Sequence, residues 1–134
     1  MLDRDAATRA IEGALGPFDL VILGYLYGSS LSGPEFEDVD VGVVLSQDLA
    51  PYERFKYAME IGRVLERALT PRHEVDVKIL NAAPIGFQYE VIRTGTPAFV
   101  RDGRDRVRYE ADLISTWLDF KETSDWMDEQ FLRW

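Results

Sequence analysis

Asp38 and Asp40 stand one residue apart at the entrance to an apolar run, in the stretch YGSSLSGPEFEDVDVGVV from Tyr27 to Val44. Side chains on a strand alternate, so the two carboxylates project from one face. Burying a pair of acids is opposed by desolvation and by their mutual repulsion unless a cation or hydrogen-bond donors compensate. Further on, EVDVKIL, Glu74 to Leu80, carries Asp76 in its middle. If the two strands pair, Asp38, Asp40 and Asp76 meet on one face as a hard-oxygen donor set suited to Mg²⁺ or Mn²⁺. Such a set can hold two ions, one activating an attacking oxygen and one steadying phosphate oxygens. Upstream, Gly28 and Ser29 follow an apolar run without a bulky side chain, which lets backbone N–H groups and the Ser29 hydroxyl approach a phosphate closely. Taken singly, an Asp-x-Asp also caps turns and a Gly-Ser also marks them. The order of the pieces is what points to phosphate chemistry.

That chemistry needs elements to position it. A short helix is expected from about Asp5 to Leu15, with Ala6, Ala10, Ile11, Ala14 and Leu15 on one side and Gly16-Pro17 as its stop. Leu20 to Gly28 reads as a strand covered on both faces and central in its sheet. SSLSGPEFE has no period and reads as a loop. Val39 to Leu45 alternates, with Val39, Val41, Val43 and Leu45 on one face and Asp38, Asp40 and Gly42 on the other. Pro51 opens a helix in which Phe55, Ala58, Gly62, Leu65 and Leu69 recur as far as the Pro71 break. The strand with Asp76 follows, its Val75, Val77 and Ile79 opposed to Glu74, Asp76 and Lys78. Pro84 opens another helix that stops at Gly95, a short extended PAFV comes next, and from Asp105 the spacing of Val107, Ala111, Ile114 and Leu118 predicts a further helix.

The chain has 134 residues, enough for one domain with a single core. Hydrophobic residues at 46% and charged residues at 29% give it the composition of a globular protein rather than a disordered one. A net charge of −9 argues against holding a nucleic-acid backbone through a general field, which needs clustered cations. The absence of cysteine excludes disulfides, thiolate metal sites and cysteine nucleophiles. Acids stand in MLDRDAATRA where a signal peptide needs an apolar core, and no run approaches a membrane span, so a cytoplasmic location without membrane attachment is expected.

LGYLYGSS, DVDVGVV, EVDVKILNAAP and EVIRTGTPAFVRD together resemble the nucleotidyltransferase superfamily related to DNA polymerase β, and within it the minimal nucleotidyltransferases. The resemblance is close over roughly Leu20 to Asp102 and looser elsewhere. It implies an α/β (α+β) fold, a mixed β-sheet flanked by helices in a single domain 1–134, with the core over about 18–102 and a helical segment over about 104–134. The implied reaction moves a nucleoside monophosphate from a nucleoside triphosphate to an acceptor hydroxyl and releases pyrophosphate. Carried onto this chain, Asp38 and Asp40 hold the metal ions, Asp76 completes one metal position and helps deprotonate the acceptor, and Gly28, Ser29 and Ser30 cradle the triphosphate. The family's loop between Gly-Ser and the paired acids is longer than the eight residues from Ser30 to Glu37, and its arginine after the Gly-Ser is replaced here by Leu31, Ser32 and Gly33. Lys78, which should share a face with Asp76, is the remaining candidate cation for the nucleotide. Stand-alone members resemble antitoxins encoded beside HEPN-type ribonuclease toxins, which implies ATP as substrate and a tyrosine of the toxin as acceptor.

Two other readings keep part of this scheme. A small-molecule nucleotidyltransferase shares the chemistry but usually has a second domain for its acceptor. A binding module keeps the fold and neutralises its partner by contact, yet has no need of clustered carboxylates. His73, the one histidine, is a base, a ligand or a cap at the entrance to the third strand. The tail SDWMDEQFLRW either anchors a partner through Met127, Phe131 and Trp134 or packs back on the domain.

Overall fold

A computed structural model describes residues 2–28 and 38–131. Helix α1 (Arg4–Leu15) starts at Asp3, whose carboxylate accepts a hydrogen bond from the Ala6 N–H at 2.7 Å, and it buries Ala7, Ile11 and Leu15 at intervals of four. Strands β1 (Val21–Tyr27) and β2 (Asp38–Leu45) follow, then helix α2 (Pro51–Ala68) with proline in its first turn. Strand β3 (Glu74–Ile79) runs into a single 3₁₀ turn at Leu80–Ala82, one residue earlier than the alternation suggests. Helix α3 (Ile85–Thr94), strand β4 (Thr96–Val100) and the long helix α4 (Gly103–Phe131) complete the order.

The four strands lie in the order β3-β2-β1-β4. β1 pairs antiparallel with both neighbours, while β2 and β3 are parallel, so the sheet is mixed, as the family resemblance implies. Parallel neighbours need a crossover, and α2 supplies it. One face of the sheet packs on α1 and α2, with Val39, Val41, Val43 and Leu45 against Ile11, Leu15, Ile61 and Leu65. The other face carries Leu23, Tyr25 and Val44, covered by Leu80 and Val91. β1 serves both because its pairing register shifts between Val21 and Leu23, which turns Val21 to the first core and Leu23 to the second. Gly24 lets α1 come close, since a Cβ there would stand 2.6 Å from Leu15 Cδ1. Beyond the sheet's end, Asn81 satisfies both backbone groups of Leu45, donating to its carbonyl at 2.9 Å and accepting from its N–H at 2.8 Å.

Two apolar patterns read from the sequence meet different surroundings in the fold. Phe55 belongs to the helical stripe of α2 but is 63% exposed, on the rim of a surface cleft that it lines with Ala58, Val77, Pro84 and Phe87. On α4 the face turned to the fold is not the Val107, Ala111, Ile114, Leu118 stripe. Leu113 is buried instead, Tyr109 donates to Gln88 Oε1 at 2.8 Å, Glu110 accepts from the Tyr25 hydroxyl at 2.9 Å, and Trp117 stacks on Tyr89. Aromatic and polar partners set the rotation of the helix, and the aliphatic stripe is left outside. Among the described residues no helix is long and apolar enough to cross a membrane.

Candidate active site

β2 places Asp38 and Asp40 two positions apart, and the parallel register of β3 sets Asp76 beside Asp40 and Glu74 beside Asp38. On the other side β1 sets Tyr27 beside Asp40. Asp40 is thus the centre of a row running Tyr27, Asp40, Asp76 across adjacent strands. Gly28 follows Tyr27 with φ +104°, a conformation that favours glycine, and a Cβ there would collide with Asp40 Oδ2. The chain therefore turns directly over a carboxylate, at a spot where only a residue without a side chain fits.

The electrostatics follow from this packing. Burial, then the charges of Asp76 and Asp38, raise the Asp40 pKa above its usual 3.8, and Lys78 offsets part of the rise. Burial, then the charges of Asp40 and Asp76, push the Tyr27 hydroxyl well above its ordinary range, so it stays protonated and serves only as a neutral hydroxyl. Its ring packs edge-on against Phe87 with centroids 5.6 Å apart. A cleft of about 350 Å³ opens beside the acids, lined by Asp38, Asp40, Glu66, Glu74, Val75 and Asp76. Such a concentration of negative charge draws cations toward the cleft.

Asp38, Asp40 and Asp76 share the cleft, as the alternation of their strands implies. Among the described residues, however, no three acidic or histidine side chains are gathered closely enough to hold one ion as they are placed. Asp76 turns instead to Lys78, whose Nζ lies 3.6 Å from its Oδ2. Lys78 does share the face of Asp76, and its ammonium occupies the role of counter-cation there. Gly28 lies against Asp40, while Ser29 and Ser30 fall outside the described residues. Glu66 reaches the cleft from α2 and accepts from the Val75 N–H at 3.2 Å. No spacing along the chain connects it with the strand acids, since the link is the packing of α2 on β3. His73 keeps to the strand entrance, with Nδ1 2.7 Å from the Pro71 carbonyl oxygen, and does not line the cleft.

Residues 11–104 match the family model described as polymerase beta, nucleotidyltransferase. The chain belongs to that family. Its fold is similar to that of chains in several solved toxin–antitoxin structures. One is the MntA-HepT complex, at 17% identity and TM-score 0.68, covering 96% of this chain and 99% of that one. Another is the tri-AMPylated Shewanella oneidensis HEPN toxin in complex with MNT antitoxin, at 16% identity and TM-score 0.66, covering 98% and 99%. A third is a toxin–antitoxin structure with AMP-PNP, at 17% identity and TM-score 0.66, with the same coverage. No protein of curated function matches the chain by sequence. At such identities the likeness is one of fold.

Proposed function

We propose that this nucleotidyltransferase moves AMP from ATP to a hydroxyl of a HEPN-type toxin and so acts as its antitoxin. The observation that carries the reading is the register of β2 on β3, which sets Asp76 beside Asp40 beneath a glycine turn in a chain of this family. The similar folds include one bound to an AMPylated HEPN toxin and one with AMP-PNP, which supports both the nucleotide and the partner. ATP and a free cation pool belong to the cytoplasm, and the reading places the protein there.

In the reaction an acceptor oxygen bonds to the α-phosphorus of ATP, the bond to the bridging oxygen breaks, and pyrophosphate leaves. Asp38, Asp40 and Asp76 would hold Mg²⁺ or Mn²⁺, for which carboxylate oxygens are the right donors. Such an ion, when bound, would supply charge neutralisation on the phosphates and a more acidic acceptor hydroxyl. Asp76, the most exposed of the row with Lys78, takes up the acceptor proton. Gly28, with Ser29 and Ser30 after it, offers backbone N–H groups to the triphosphate. Lys78, once released, is a cation for its outer phosphates. Positioning and electrostatics carry reactions of this type, with little covalent work for the protein.

A second reading, an inactive binding module, is favoured by one observation, the separation of the acids as they are placed. Label transfer separates the two. The protein is incubated with Mg²⁺, ATP labelled at the α-phosphate, and the HEPN-type protein encoded beside it. A labelled toxin band that Asp40→Asn abolishes is expected. Absence of label with folded protein and a co-purifying partner establishes the binding module instead.

A further inference from the structure

The row Tyr27, Asp40, Asp76 ends at β3, the edge strand of the sheet among the described residues. At that end lies a second cleft, of about 530 Å³, between the first half of α2 and the start of α3. Phe55, Ala58, Val77, Pro84 and Phe87 give it apolar walls, and Arg54 and Lys78 are the only residues with polar side chains in its lining among the described residues. Two of these residues tie it to the acids. Lys78 Nζ lies 3.6 Å from Asp76 Oδ2, and the Phe87 ring packs edge-on against Tyr27, the neighbour of Asp40. Phe55 is 63% exposed and Phe87 37%, so two aromatic side chains stand open at a cleft that adjoins the third carboxylate.

The direction of the reaction decides what such a cleft receives. In a displacement at the α-phosphorus the attacking and leaving oxygens stand roughly in line. The triphosphate is assigned above to the turn at Gly28, which follows β1, so pyrophosphate leaves at the β1 end of the row. The acceptor oxygen then enters at the β3 end, past Asp76, where the cleft opens. Its walls also discriminate between occupants. Adenine carries an amino group and ring nitrogens that need partners when buried, and the lining offers no side-chain acceptor for the amino group. A serine or threonine has too little apolar surface to gain much from two aromatic rings. A tyrosine ring suits edge-to-face contact with phenylalanine, and its one polar atom is left to face Asp76.

We infer that this cleft is the acceptor site and that Phe55 and Phe87 select a phenolic hydroxyl, an inference that rests on the function proposed above. A tyrosine of the partner seats its ring against the two phenylalanines. Its oxygen bonds to the α-phosphorus, its proton passes to Asp76, the bond to the bridging oxygen breaks and pyrophosphate leaves. Asp76 touches the reacting oxygen, whereas Phe55 and Phe87 hold the ring and set specificity. One comes from α2 and the other from α3, so no spacing along the chain joins them.

The test is transfer from ATP, with Mg²⁺, to the HEPN-type protein encoded beside this chain, with the AMP-bearing residue mapped by mass spectrometry. The parent is compared with Phe55→Ala and Phe55→Trp, and because Phe55 is so exposed both variants should keep the parent's Tm. AMP is expected on a tyrosine oxygen. Phe55→Ala should raise the acceptor KM at least about tenfold and leave the ATP KM within about twofold, while Phe55→Trp, which keeps an aromatic wall, should stay near the parent. AMP on a serine or threonine overturns the inference, as does an acceptor KM that Phe55→Ala leaves unchanged. A rise in the ATP KM instead would make the cleft the seat of the nucleoside and also overturn it. Equal losses in both variants, or a fall in kcat alone, would mark Phe55 as merely structural. In all four cases the proposed function stands. Absence of AMP transfer by the parent removes that function, and the acceptor site with it.

Discussion

Asp40 is held against its own preference. Its neighbours Asp76 and Asp38 and its partial burial all favour the protonated form, so its folded-state pKa lies above the 3.8 of a free carboxyl. For an acid shifted upward the native state binds more protons than the unfolded chain. Stability is therefore fuller below about 3.8 and declines as pH rises through the raised value, staying lower at neutral pH. Asp40→Asn should remove that decline. At neutral pH and without metal it is expected to raise stability by up to about 1 kcal/mol, a figure scaled for solvent screening. Chemical denaturation of both proteins across pH checks it, and an Asn variant less stable than the parent at pH 7 would show that the row of acids does not repel. The same substitution should lower adenylyl transfer by about 10²-fold or more. Gly28→Ala meets two obstacles, a positive φ and the Asp40 carboxylate. A loss of about 1–3 kcal/mol, seen as a lower Tm, should accompany loss of transfer. Recovery of the Tm, though not of transfer, by Asp40→Gly in the same protein would mark the contact between them as the cause of the lost stability.

At the level of elements, the site depends on strand register more than on any one side chain. One residue of slip between β2 and β3 would send Asp40 into the aliphatic core and Val39 to the cleft. The apolar set on the α2 side, with Val41 and Val43 wholly buried, is what forbids it. Asn81 fastens the other end of β2 by standing in for a neighbouring strand at Leu45. Asn81→Ala leaves both backbone groups without those partners, and a cost of about 1–3 kcal/mol is expected. Since the acids lie at the opposite end of the strand, transfer activity measured well below the melting temperature should change less than about twofold. Equal losses of activity and stability would mean that the register itself had moved.

For the whole molecule, the relevant quantity is what ligands do to the native state. A ligand bound only by the folded protein stabilises it by about 2.7 kcal/mol at a hundred times its dissociation constant. Mg²⁺ with ATP should raise Tm, chelation of the cation should reverse the rise, and Asp38→Asn should abolish it. A Tm indifferent to both ligands would move the assignment to the binding module. The charge of −9 acts at this scale too. If its partner carries the opposite charge, association should slow as salt rises, because steering is screened beyond a Debye length of about 8 Å at physiological ionic strength. An association rate unchanged between low and high salt would remove charge from the account of partner choice.

Much of this was legible along the chain, because local rules reach that far. Alternation alone put Asp38, Asp40 and Gly42 on one strand face and the valines on the other, and proline and glycine marked where α2 and α3 begin or end. Motif order pointed to the family that residues 11–104 match. What the fold decided lies across space rather than along sequence. The neighbour of Asp40 depends on a parallel pairing made through α2, the arrival of Glu66 depends on how that helix lies on β3, and the capture of Asp76 by Lys78 depends on side-chain rotamers. The exposed stripe of α4 shows the same division. Periodicity specifies that such a helix has an apolar face, but which face turns inward is settled by the partners that Tyr109, Glu110 and Trp117 find in β1 and α3.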